Sequence, residues 1–111
     1  MSSLTRSEIL ACSDTGRRTV SVPEWGGHVE VRILSGAEMD AVFAAHAKDE
    51  TPIGDVLLVE CVVDDEGKRL FTAADLPALK AKSFAALKRV RDAAARLNGY
   101  GLEAEQDAEK N

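Results

Sequence analysis

Apolar and polar positions alternate most regularly between Arg17 and Leu34. Val20 and Val22 precede a centre built from Pro23, Glu24, Trp25, Gly26 and Gly27, and Val29, Val31 and Ile33 follow it. A period of two on both sides of a Pro and Gly-Gly centre is the signature of two half-buried strands joined by a turn. The intervening positions, Thr19, Ser21, His28, Glu30 and Arg32, suit solvent. A lone hairpin is marginal in water, so its apolar face requires cover.

The remaining patterns are mostly helical. Thr5-Arg6-Ser7-Glu8 fits a capping box and opens a short helix to about Cys12, with Ile9 and Leu10 expected to face inward. Ser13 to Gly16 reads as a turn. Ser35-Gly36-Ala37-Glu38 is a second capping box, and Met39, Val42, Phe43 and Ala47 recur at helical spacing, predicting a helix from about Gly36 to Ala47. Lys48 to Glu50 is a polar break. Thr51-Pro52 places an N-cap residue before a proline suited to the first helical position. In the run from Ile53 to Val63 the β-branched content favours a buried strand, whereas the start signal and the length favour a buried helix; helix is the reading adopted.

Asp64-Asp65-Glu66-Gly67 is a turn, and Lys68 to Phe71 a short extended return. Thr72 with Asp75 opens a brief helix through Leu76 and Leu79. Ser83 caps the longest helical pattern, in which Phe84, Leu87, Val90, Ala94 and Leu97 form an apolar stripe and Lys88, Arg89 and Arg96 fall on the other side. Asn98-Gly99 reads as its C-cap. The expectation is an α+β fold, an N-terminal β-hairpin packed against a small bundle of about four to five helices. It forms one globular domain over residues 1–102, followed by an acidic, disordered tail over 103–111.

Composition supports a soluble globular protein: 45% of the 111 residues are apolar and 30% charged, and no apolar run approaches the length of a membrane span. The N-terminus carries no secretory pattern. Cys12 and Cys61 form no Cys-x-x-Cys pair, so reduced thiols are expected, with Cys61 as a small core residue. The net charge of minus 5 argues against general nucleic-acid binding, which needs a positive field. The charge is uneven, however. From Lys80 to Arg96 six bases face one acid, Asp92, giving plus 5 and leaving minus 10 elsewhere. Such a segment serves either as a docking surface for an acidic partner or as the solvated face of a helix.

Little points to catalysis. His28 and His46 are the only histidines and form no metal-binding motif. The Asp64-Asp65-Glu66-Gly67 cluster fails as a calcium loop, because a glycine at loop position six would put Val62 where the first acid belongs. Gly26-Gly27 and Gly99-x-Gly101 lack the spacing of phosphate loops. No cofactor, metal or catalytic residue is expected. Trp25 admits two readings: an exposed interface anchor at the hairpin tip, or a ring folded back onto Pro23 or a neighbouring helix. The candidate contact residues are therefore Glu24 and Trp25 at the tip and Lys88, Arg89 and Arg96 on the basic helix, with binding as the default function.

Several stretches in succession resemble the tail assembly chaperones of long-tailed bacteriophages and prophages with non-contractile tails. They are Leu4 to Leu10, Val22-Pro23-Glu24-Trp25-Gly26-Gly27 followed by Val29 to Arg32, Leu34 to Asp40, Val63 to Phe71, and Ala95-Arg96-Leu97-Asn98-Gly99. The resemblance spans nearly the whole chain in order and spacing. It implies a non-enzymatic protein of the bacterial host cytoplasm that binds the tape measure protein, keeps it soluble, helps tail-tube protein assemble around it, and is absent from the mature virion. A longer product made by programmed frameshifting belongs to the same expectation, and this chain looks like the shorter product; contact between copies of the chain is expected at the hairpin tip, from Trp25 and Glu24. The resemblance also favours helix for Val56 to Val63. It carries over no active residues. The rival reading is a small interaction or regulatory module, associated with nucleic acid through the basic segment at 80–96, against which the acidic total weighs.

Overall fold

Seven residues on either side of the hairpin tip pair in the register that the alternation demands. In the computed structural model, which describes residues 2–100, strand β1 (Gly16–Val22) runs antiparallel to β2 (Gly27–Ile33). Val20 stands opposite Val29 and Val22 opposite Gly27. This puts Val20, Val22, Val29, Val31 and Ile33 on one face, and Val22 and Val31 are fully buried there. The expected tail over 103–111 lies outside the described residues.

The run from Ile53 to Val63 is both of the things its composition allows. Helix α3 (Ile53–Cys61) ends abruptly, and Val62–Val63 continue as strand β3, paired antiparallel with Glu30 and Val31 of β2. The sheet thus has three strands in the order β1-β2-β3, one more than the hairpin expected. The β-branched pair is what sits in the sheet, where branched side chains fit the pleat. Val63 also bridges Arg69, and Leu70 N–H donates to Val62 O at 3.1 Å, so the extended return after the turn is present. Helix α3 begins one residue later than predicted. Pro52 is the cap and offers no side-chain acceptor, and its carbonyl accepts from the amides of Asp55 and Val56.

Around α3 stand α2 (Gly36–Asp49), α4 (Leu76–Lys80) and α5 (Phe84–Leu97), each opened by a polar residue as the sequence predicts. Ser35 Oγ accepts from Glu38 N while Glu38 Oε1 accepts from Ser35 N, closing a capping box. Thr72 and Asp75 form another across a 3-10 turn that leads into α4. Leu57, Leu58 and Cys61 of α3, Val42 of α2, Val90 and Ala94 of α5, and Val22 and Val31 of the sheet make one core. Among the described residues no helix is long and apolar enough to cross a membrane.

Two expectations about which side chains face inward are overturned. Helix α1 (Arg6–Ala11) forms with the predicted Thr5–Glu8 capping box, but none of its residues is buried: Ile9 is 55% and Leu10 67% exposed. Local signals fold a single turn and a half; they do not supply a surface for it to pack on. On α5, Phe84 stands at the first helical position and is 71% exposed, because the buried stripe runs through Ala86, Leu87, Val90, Ala93 and Ala94. Phe43 of α2 is likewise half-exposed and meets Tyr100 edge to face at 6.0 Å.

Among the described residues Asp55 is the one charged side chain in the core, 2% exposed. Its two oxygens are answered separately: Oδ2 by Lys80 Nζ of α4 at 2.9 Å and Oδ1 by Arg91 Nη1 of α5 at 3.1 Å. The stem of Arg91 lies across Gly54, where a Cβ would come within 3.2 Å of Arg91 Cδ. A second polar tie closes the far end of α5. Asn98 accepts from Leu34 N at 2.7 Å and donates to Ala94 O at 2.8 Å, joining the helix C-terminus to the end of β2. Gly99 then leaves the helix with φ 71°, a conformation that costs glycine nothing.

Removing one member of a buried ion pair leaves the remaining charge uncompensated. Asp55→Ala is therefore expected to lower stability by about 3 kcal/mol, the low end of that class of change because half-exposed Lys80 can return to water. Urea denaturation checks this, and a loss below about 1 kcal/mol would place Asp55 outside the determinants of the fold.

Candidate functional site

Helix α5 serves the core with one side and solvent with the other. Ser83 Oγ caps it by accepting from Ala86 N at 3.1 Å. Its outward side, Ala85, Lys88, Arg89, Asp92 and Arg96, lines an open trough. Four of these five side chains are charged, so the trough is built for polar contacts and not for an apolar ligand.

The hairpin tip reaches this trough. Pro23–Trp25 form a single 3-10 turn, and Gly26 reverses the chain in the left-handed region at φ 73°. Glu24 is thereby carried to Arg89, 65 residues away in sequence, and the two meet as a fork: Arg89 Nε donates to Oε1 at 3.2 Å and Nη2 to Oε2 at 3.0 Å. Hydrogen bonding from Arg89 holds the Glu24 carboxyl below its ordinary value, and Glu24 raises the guanidinium in return. Lys88 pairs with Asp92 one turn on, at 2.6 Å. Arg96 is exposed on the same side.

The two candidate surfaces, the tip and the basic helix, are thus one surface. Trp25, however, is not an exposed anchor. It is half-buried and packs against the core, so most of its ring supports the tip from beneath. The aromatic ring has more area to bury than a tip turn can leave in water.

The basic excess read from the sequence is partly spent inside the molecule. Lys80 and Arg91 serve Asp55, and Arg89 serves Glu24; counting these two acids lowers the net over the segment from plus 5 to plus 3. The pairs were invisible in the sequence because their members are separated by 25 to 65 positions with no shared period. The available signal was an acid, Asp55, near the start of a mostly apolar run.

Other polar clusters serve the fold. Asp64 Oδ1 accepts from the amides of Glu66 at 2.8 Å and Lys68 at 3.0 Å, and these bonds, that from Lys68 first, hold its carboxyl low. Arg17 donates to the carbonyls of Asp64 and Asp65, tying the acidic turn to β1. Arg32 reaches Glu38 at 2.7 Å and Glu60 at 3.6 Å, and Arg69 completes the chain on Glu60 at 2.7 Å. Cys61 is fully buried and its thiol is pushed up to about 12, chiefly by burial; Cys12 is exposed. Among the described residues no three His, Cys, Asp or Glu side chains gather as a metal site would require.

No protein-family model and no curated protein matches the chain. Among solved structures the fold is similar to that of the bacteriophage HK97 tail assembly chaperone, with a TM-score of 0.57 over 86% of this chain and 95% of that one. The sequence identity is 18%, so the likeness is one of fold. It agrees with the resemblance read from the sequence stretches.

Two measurements follow from the titrating groups. Glu24 and Glu38 lie below the ordinary carboxyl value of 4.5, and Asp64 below 3.8. A depressed carboxyl contributes stability that is complete above its unfolded value and is lost as pH falls through its folded value. The thermal midpoint should hold from neutral pH to about pH 5 and fall below it, and Glu24→Gln should lower the midpoint at pH 7 while flattening part of the acid limb. An unchanged acid limb would show that the Glu24–Arg89 fork does not persist in solution. Separately, a maleimide should label Cys12 in the native protein at once and Cys61 only on unfolding; two equally fast thiols would contradict the buried position of Cys61.

Proposed function

We propose that this chain is a phage tail assembly chaperone. It binds the tape measure protein, keeps it soluble, promotes assembly of tail-tube protein around it in the bacterial host cytoplasm, and leaves before the virion is complete. The observation that carries this reading is the fold shared with the HK97 tail assembly chaperone over most of both chains. The role in this reading is non-enzymatic, and the buried Cys61 is held as an inert thiol.

A tape measure protein is a long helical chain with apolar stripes, and its chaperone must cover it reversibly. Many copies, each bound weakly along one such chain, hold it by avidity while any single contact stays easy to displace. Tube subunits then replace the chaperone one site at a time. In this reading the trough of Lys88, Arg89 and Arg96 with Glu24 takes acidic segments of the partner and the exposed edge of Trp25 beside it meets apolar ones, and the same surface serves contacts between copies.

Co-expression with the candidate tape measure protein tests the proposal. The soluble fraction of that protein should rise several-fold with the wild-type chain and fall back with a Lys88→Glu, Arg96→Glu variant that keeps its thermal midpoint. Equal solubility with and without the wild-type chain would overturn the function. Retained solubilisation by the charge-reversed variant would move the contact elsewhere on the molecule.

A further inference from the structure

Strand β1 is an edge strand, and its outer side carries backbone groups that β2 leaves unpaired. Val62 O accepts from Leu70 N, so Val62 is turned away from β2 and its neighbour Val63 bonds Glu30. The backbone of Glu30 therefore faces β3, and by alternation so do those of His28 and Arg32. Arg32 O accepts from Asn98 Nδ2 at 3.4 Å on that side. Their partners across the hairpin, Thr19, Ser21 and Arg17, thus point their N–H and C=O groups away from β2. All three residues are exposed. Among the described residues only one of these outward groups is bonded: Arg17 O accepts from Arg18 Nη1 at 2.9 Å.

Such an edge spans about 14 Å at roughly 3.4 Å per residue and is a template for another strand. It is also self-complementary. With Thr19 opposite Thr19 of a second copy, Arg17 of each chain falls opposite Ser21 of the other, and every outward donor meets an outward acceptor. Arg18 stands against that pairing in two ways. Its guanidinium occupies the Arg17 carbonyl that the Ser21 amide of a second copy requires. Its place in the register, opposite buried Val31, puts it on the core face beside Val20, so a strand added here encloses a charge on the apolar side of the sheet. The guanidinium lies back along its own strand, with Nη1 3.9 Å from where a Cβ on Gly16 would stand.

We propose that Arg18 guards this edge: it holds shut a strand-addition surface whose fitting occupant is β1 of a second copy. One side chain then decides whether two three-stranded sheets stay apart or join across β1. Neither the trough residues nor a tape measure protein takes part, so failure here is separate from failure of the proposed function.

Hydrogen exchange and sedimentation of the full chain test this. In the wild type the amides of Thr19 and Ser21 should exchange roughly tenfold or more faster than those of Arg18 and Val20, which face β2. Equal protection would overturn the open edge. Arg18→Val extends the apolar alternation of Val20 and Val22, and it should sediment at about twice the wild-type mass as concentration rises, with the Thr19 and Ser21 amides slowing in step. Arg18→Thr, which adds less apolar surface, carries the same prediction where the valine variant precipitates. Adding Ser21→Pro removes an outward donor and should return either variant to the wild-type mass. Folded variants that keep the wild-type mass at every concentration, or an association or precipitation that Ser21→Pro leaves intact, would overturn the proposal.

Discussion

Burial of α3 on almost every side is the constraint from which the rest of the arrangement follows. From Asp55 to Val59, and again at Cys61, every side chain of this helix is buried. A helix that is apolar all round must be enclosed, and here α2, α5 and the sheet enclose it. Its buried acid, Asp55, must be answered inside that enclosure, since an unpaired buried carboxylate is prohibitively costly. Lys80 and Arg91 answer it from two different helices. A buried pair of this kind adds little net energy compared with an apolar substitute, but it distinguishes one packing from others, because the carboxylate is satisfied only when α4 and α5 both stand at the start of α3. Gly54 is part of the same solution, leaving room for the stem of Arg91.

The other end of α3 sets the sheet. The helix stops at Cys61, and the next two residues are already paired with β2. One continuous apolar run thereby crosses from the helical layer into the sheet, and the hairpin receives a third strand and a covered face together. Asn98 repeats the logic at the end of α5, bonding to the backbone where β2 gives way to α2. Helix α5 is thus pinned at its middle by Arg91 and at its C-terminus by Asn98. Its outward side is held rigidly enough for Glu24 on the hairpin tip to form a fork with Arg89.

What the sequence disclosed divides along the same line. Features encoded within four or five residues were legible: the capping boxes at Thr5 and Ser35, the N-cap at Thr72, the alternation of the hairpin, the amphipathic period of α5 and its Asn-Gly stop. Features that depend on which surfaces meet were not. Ile9, Leu10 and Phe84 have the right spacing to face a core, yet no surface lies opposite them. The run at 53–63 could not be resolved by period, because a helix and a strand buried on all sides both read as unbroken apolar sequence; the chain uses one after the other. The candidate residues Glu24 and Arg89 were each visible as charged, while their pairing across 65 positions was not.

The pairing of the trough bears on how strongly anything can bind there. Lys88 and Arg89 already have partners in the free molecule, so a ligand carboxylate that engages them gains only the difference between two exposed ion pairs. That difference is small for a single site and only modestly sensitive to the exact ligand. A surface of free cations would bind acidic chains tightly and without discrimination, and would release them slowly. A surface of pre-paired charges holds weakly at one site and firmly only when many copies line one chain. In the proposed role release needs no change of fold: loss of a neighbour weakens the array, and the internal pairs with Glu24 and Asp92 re-form as the ligand departs.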